Sequence, residues 1–229
     1  MDSEYGFTDR IDAGRVLAVE LIRRGYGNRE DVIVLALPRG GVPVGYEVAR
    51  ELRAPLDVFI VRKLGVPGHE ELAMGAIASG NVRVLNHQVV DMLKIPPWAI
   101  DEIARREQVE LERRERDYRA GRPPIDVEDK TVLLVDDGLA TGSTMRAAAE
   151  ALRQKRPRWI AVAVPVAAAE TCDEFRSEVN EVVCALTPEP FRAVGLWYQN
   201  FSQTSDQEVR DLLARAARER VAAPAMTPR

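Results

Sequence analysis

The sequence predicts an α/β protein in which a central parallel sheet is flanked by helices. Two observations carry that expectation. Short apolar, largely β-branched runs recur at 32–37 (VIVLAL), 57–61 (DVFIV), 132–135 (VLLV), 159–164 (WIAVAV) and 182–186 (VVCAL), as strands buried in a sheet interior do. Helical stretches lie between most of them on short connections, and a strand, helix, strand order of that kind closes as a right-handed parallel crossover.

The elements can be justified in order. Thr8 or Asp9 can cap a first helix running to about Arg24, with Ile11, Val16, Leu17, Val19 and Leu21 as its apolar side and Gly25 and Gly27 ending it. The first strand, 32–37, leads through PRGGVPVG into a helix that continues to about Leu52 and carries Val44, Val48 and Ala49 inward. The second strand is 57–61. Residues 62–71 (RKLGVPGHEE) are rich in Gly and Pro and read as an exposed loop, whereas 73–78 and 82–85 read as a hairpin around Gly80 and Asn81.

Two helices follow. The second, about 97–120, has thirteen charges between Asp101 and Arg119, including the opposite-sign pairs Glu110 with Arg114 and Glu112 with Arg116. Its apolar stripe is thin, which suits a solvated helix, a lid or a dimer arm. Beyond 132–135 come a helix at 144–155, a strand at 159–164, a helix at 170–178 and a strand at 182–186. Residues 188–204 are irregular and aromatic, 206–221 form a last helix, and 222–229 read as a disordered tail. The domain reading is therefore a core over 1–187 that includes the inserted helix, followed by a hood segment and C-terminal helix over 188–221.

Composition bounds the function. A chain of 229 residues suits one large domain, or one with a small appendage. With 46% hydrophobic and 30% charged residues, and no long apolar run, it reads as soluble rather than membrane-spanning. Residues 1–10 lack the basic start and apolar core of a signal peptide, so a cytoplasmic location is expected. The net charge of −4 supplies no general basic field, which argues against nucleic acid as a partner. Cys172 and Cys184 lack metal-ligand spacing and are expected as buried, reduced thiols; His69 and His87 stand isolated, so no triad or metal set forms around them.

The informative stretch is 132–145, VLLVDDGLATGSTM. A buried strand ends in two adjacent carboxylates, Asp136 and Asp137. The loop that follows holds Gly138, Leu139 and Ala140, then Thr141, Gly142, Ser143 and Thr144, whose glycines and hydroxyls lie beside the N–H groups opening a helix. Such a place binds phosphate. Two acids would repel a phosphate unless something hydroxylated or cationic lay between, and a phosphorylated ribose meets both demands. Neither a G-x-x-x-x-G-K-[ST] loop nor a G-x-G-x-x-G fingerprint occurs.

With those residues in view, the stretch resembles the phosphoribosyl pyrophosphate (PRPP) signature of the type I phosphoribosyltransferases: an apolar strand, two acids, two variable residues, a small residue, then T-G-x-T. Two further segments fit the likeness. Arg39, Gly40 and Gly41 follow the first strand and resemble the family's pyrophosphate loop in its adenine and xanthine members. Arg62 and Lys63 in VRKLGVPG resemble the R-K-x-G-x-x-P-G segment of adenine members.

The resemblance implies a parallel α/β core and Mg²⁺-dependent transfer of a 5-phosphoribosyl group from PRPP to a nitrogenous acceptor, a nucleobase among the candidates, with release of pyrophosphate. It implies Asp136, Asp137, Arg39 and Lys63 as catalytic residues and the 138–144 loop, Gly40, Gly41 and Arg62 as substrate-binding. No protein metal cluster is required, because Mg²⁺ would ride on ligand oxygens and water. Ala140 stands where hypoxanthine-guanine members carry an acid, so a 6-oxopurine contact there is excluded. Glu70, Glu71 and Glu107 are candidates for the family's loop glutamate. Phe191 or Trp197 could stack on a base, or pack in the core. The rival reading is a PRPP- or nucleotide-sensing regulator without catalysis, and a homodimer stays open.

Overall fold

The computed structural model describes residues 6–222. Its centre is a five-stranded parallel sheet in the order β2, β1, β6, β7, β8, formed by Leu56–Val58, Val32–Ala36, Thr131–Val135, Trp159–Val166 and Glu181–Leu186. The uniform apolar runs are explained by helices on both faces. Ile33, Leu35, Val132, Leu134, Ile160 and Val162 point to one face, where α5 (Ser143–Arg153) lays down Ala148 and Leu152. Their neighbours Val32, Val34, Leu133, Val135, Ala161 and Ala163 point to the other, against Leu17 and Leu21 of α1 (Arg10–Arg23) and Val44 and Val48 of α2 (Gly41–Leu52).

A second layer is built from an antiparallel sheet, β3 (Val61–Val66), β4 (His69–Ala78) and β5 (Val82–Leu85), with α3 (His87–Met92), α4 (Pro97–Arg119) and α7 (Asp206–Ala222). Leu64, Met74, Ile100, Leu111, Tyr118 and Leu213 make its core. The charged helix is real, and its pairs form as read: Arg114 reaches Glu110 at 2.7 Å and Arg116 reaches Glu112 at 4.0 Å. Its thin stripe is anchored by Arg119, which is buried and bonds Asp57 at 2.9 and 3.0 Å, Glu115 at 2.9 Å and the Val58 carbonyl at 2.9 Å.

Several expectations are corrected. Residues 62–71 are not a loop. They form β3, a turn at Pro67 and Gly68, and the start of β4, because Leu64 and Val66 alternate inward and Gly68 supplies a positive φ of 76°. The second strand of the parallel sheet accordingly stops at Val58 instead of continuing to Val61; Ile60 exchanges bonds with Ser79 of the antiparallel layer, and Val61 begins β3. The hairpin around Gly80 and Asn81 forms as expected, with φ of 83° and 62° at the two residues.

In α1, capped by Asp9 as read, Leu17 and Leu21 are buried with Ala13, Gly14 and Ala18, whereas Ile11, Val16 and Val19 are exposed. The close pass of α2 selects small residues: a Cβ on Gly14 would lie 2.8 Å from both the Val44 carbonyl and the Glu47 Cβ. Cys172 on α6 (Ala169–Phe175) and Cys184 on β8 are not free thiols but a disulfide, since both side chains enter the gap between that helix and the sheet edge. Nearly all of the 222–229 tail lies outside the described residues. Among the described residues no helix is long and apolar enough to cross a membrane.

Candidate active site

Register brings the site together. Ala36 pairs with Val135, and the Leu37 N–H bonds the Val135 carbonyl at 2.8 Å, so β1 and β6 end side by side. The segments that leave them, Pro38 to Gly41 and Asp136 to Gly142, must share one edge. The peptide between Pro38 and Arg39 is cis. The glycines here permit close approach: a Cβ on Gly41 would come within 2.7 Å of the Val135 carbonyl, and one on Gly40 within 2.7 Å of the Asp137 carboxyl carbon.

The two acids differ in their partners. Asp136 accepts the Asp137 N–H at 2.9 Å. Burial lifts its carboxyl well above the usual carboxylate range, and the adjacent Asp137 lifts it further. Burial also raises Asp137, while Arg10 pulls the other way: Nε and Nη2 of Arg10 each stand 2.8 Å from Asp137 Oδ2. The Tyr198 hydroxyl donates to the Asp137 carbonyl. Two neighbouring carboxylates in so dry a place favour a ligand that brings hydroxyls or cations to them.

Behind them the chain turns into α5. Gly142 caps that helix with φ of 69°, no side chain caps it, and Thr141, Ser143 and Thr144 are exposed around its first turn. Leu139 points the other way, into the core, with its N–H on the Val166 carbonyl at 2.9 Å, so only its backbone faces the turn. Ala140 is exposed, and its carbonyl takes the Thr171 hydroxyl at 2.7 Å. Gly138 packs under Val194. The positive end of the helix therefore opens to solvent among three hydroxyls, a standing invitation to an anion.

The other sequence candidates divide. Lys63 joins the site from β3, donating to Ser143 Oγ at 2.8 Å. Arg62, on the opposite face of the same strand, turns to α4 and pairs with Glu107, so the two cations expected together point apart. Glu107 is thereby committed to an ion pair. Glu70 lines, with Arg62, Lys63, Trp98 and Glu107 itself, a cavity of about 470 Å³. Arg39 is held 3.8 Å from Asp206 at the start of α7.

Phe191 and Trp197 both pack against the apolar cluster formed by Phe7, Ala13, Val166 and Tyr198. Phe201 instead lies against the Arg10 that holds Asp137, with the guanidinium 4.0 Å from its ring centre. Arg10 gave no sign in the sequence, and Tyr198 showed only as one of the aromatics of 188–204; they lie 127 and 61 residues from Asp137.

Among the described residues no cluster of three or more His, Cys, Asp or Glu could cage a metal ion. The donors present suit Mg²⁺ all the same: Asp136 is a hard oxygen donor that is only partly buried, and Mg²⁺ keeps most of its shell as water and ligand oxygen.

These features define an α/β protein whose polar groups gather where parallel strands end and helices begin. Residues 8–194 match the family described as the phosphoribosyl transferase domain, and the chain belongs to that family. It is 46% identical over 213 residues to a candidate phosphoribosyl transferase of Mycobacterium tuberculosis, covering 93% of this chain and 47% of that protein. The bifunctional protein PyrR of Chloroflexus aurantiacus is 32% identical over 142 residues, 60% of this chain and 72% of its own. TT1426 of Thermus thermophilus, a solved structure, superposes with a TM-score of 0.80 at 40% identity, over 91% of this chain and 98% of that one. The chain thus spans about half the length of the M. tuberculosis relative.

Proposed function

We propose that this chain transfers the 5-phosphoribosyl group of PRPP to a nitrogenous acceptor, a nucleobase among the candidates, releasing pyrophosphate. One observation carries the reading: a pair of adjacent acids ends β6 and is followed within one turn by an uncapped, hydroxyl-lined helix N-terminus. In this reading the 5-phosphate rests against the 141–144 turn and the ribose 2- and 3-hydroxyls donate to Asp136 and Asp137. Family membership and the match to the M. tuberculosis relative support it.

The chain's own groups suit the chemistry. Breaking the bond from ribose C1 to pyrophosphate puts positive charge on the sugar and negative charge on the leaving group. Asp136 and Asp137 would face the sugar, while Lys63 would neutralise phosphate oxygen beside Ser143. Arg39, in the loop after β1, would meet the pyrophosphate once drawn from Asp206. Gly40 and Gly41 would present backbone N–H groups there. Mg²⁺, held by Asp136 through water and by the ligand's own oxygens, would screen charge on the leaving group. Residues 188–204 would form a hood over this edge, with α4 an insertion in the core.

The test is pyrophosphate release from PRPP across a panel of bases and amines with Mg²⁺. The reading expects turnover on at least one acceptor, abolished in the Asp136→Asn, Asp137→Asn double variant. PRPP binding without turnover on any acceptor would favour a sensor, and no binding at all would refute both.

A further inference from the structure

Arg10 is the group at this edge that neither the sequence pattern nor the family assignment explains. It opens α1, immediately after the Asp9 cap, and a cation in the first turn opposes the helix dipole, so α1 gains nothing from its charge. Nor is it a solvated surface residue. Its side chain is 11% exposed and that of Asp137 16%, a setting in which an ion pair is screened little by water.

Its contacts reach two separate parts of the chain. Nε and Nη2 hold Asp137 at the end of β6, Nη1 donates to the Ser202 carbonyl at 2.7 Å, and the guanidinium plane lies over Phe201. Both bonds to Asp137 fall on Oδ2, which leaves Oδ1 for another donor. The fit is close, since a Cβ on Gly40 would stand 3.3 Å from Arg10 Nε.

We infer that Arg10 is a positioning residue: by fixing Oδ2 it aims Asp137 Oδ1 at the ribose hydroxyls, and it links the 198–202 segment to that acid. The inference rests on the phosphoribosyl reading above. Lysine cannot substitute, because a single ammonium cannot bond Oδ2 and the Ser202 carbonyl while lying flat on Phe201.

The experiment compares ribose 5-phosphate with inorganic phosphate as ligands of the full chain, by calorimetry with Mg²⁺. Inorganic phosphate needs only the helix turn, whereas ribose 5-phosphate also needs Asp137. Arg10→Ala should weaken ribose 5-phosphate by about 10-fold or more, the effect of one lost hydrogen bond to a charged group. Inorganic phosphate should move by less than about twofold, a selectivity that a merely structural role would not give, and added guanidinium ion should restore part of the loss. Arg10→Gln, which keeps a donor and some packing on Phe201, serves if Arg10→Ala does not fold, and should show the same selectivity between ligands.

Equal losses on both ligands, or none on ribose 5-phosphate, would overturn the role of Arg10. A wild-type protein that binds phosphate but gains nothing from the ribose would instead overturn the phosphoribosyl reading.

Discussion

Gly40 offers a sharp probe of the site, because replacing its hydrogen by a methyl group acts on one named atom group. Its backbone sits at φ −60° and ψ −33°, where alanine is at ease, so the substitution costs no strain of its own. The new Cβ would run into Asp137 Oδ2, its nearest neighbour, and lie 2.7 Å from the carboxyl carbon, itself about 0.7 Å short of the 3.4 Å at which ordinary contact begins. Asp137 cannot easily recede, since Arg10 holds Oδ2 and Tyr198 holds its carbonyl. The carboxylate must therefore swing off the position from which it would meet the ribose.

Losing one hydrogen bond to an ionised acid costs about 1.5–3 kcal/mol, so Gly40→Ala should weaken PRPP binding by about 10- to 100-fold. Calorimetry with Mg²⁺ reads the affinity, and a thermal melt checks that the fold survives with a shift of no more than about 4 °C. A variant that melts like the wild type and binds PRPP within about twofold of it would refute the placement of Asp137 as a ribose contact.

Three further outcomes are expected. Arg119→Met strands Asp57 in the interior, and should cost about 3–5 kcal/mol in urea denaturation. Asp31 is held below the usual carboxylate range, chiefly by its bonds from Arg29. Its contribution is therefore present above the unfolded value of about 4 and lost as pH falls toward the lower folded value. Asp31→Asn should lose stability at neutral pH and show a shallower acid decline, read from urea midpoints across the acid range. The Cys172 and Cys184 pair should appear as one cross-linked peptide in a non-reducing digest, and Cys184→Ser should lower stability by about 2–4 kcal/mol.

What could be read from the chain alone was whatever is written in consecutive residues. The apolar run that ends in Asp136 and Asp137, the glycine and hydroxyl turn, and the hairpin at Gly80 and Asn81 are local, and each carries its own periodicity or backbone demand. The charged helix was legible for the same reason, through pairs four residues apart.

Tertiary structure decided the rest. Lys63 and Arg62 are neighbours in sequence yet serve opposite sides, because 62–71 folds as a hairpin and a strand turns successive side chains to opposite faces. Arg10 meets Asp137 across 127 residues, Tyr198 across 61, and Lys63 meets Ser143 across 80. That the two cysteines met, and which apolar residues of α1 faced inward, depended on where β8 and α2 came to rest. The reason is physical: a local pattern fixes backbone form and which face is apolar, but it cannot say which distant group will fill the space beside a buried charge.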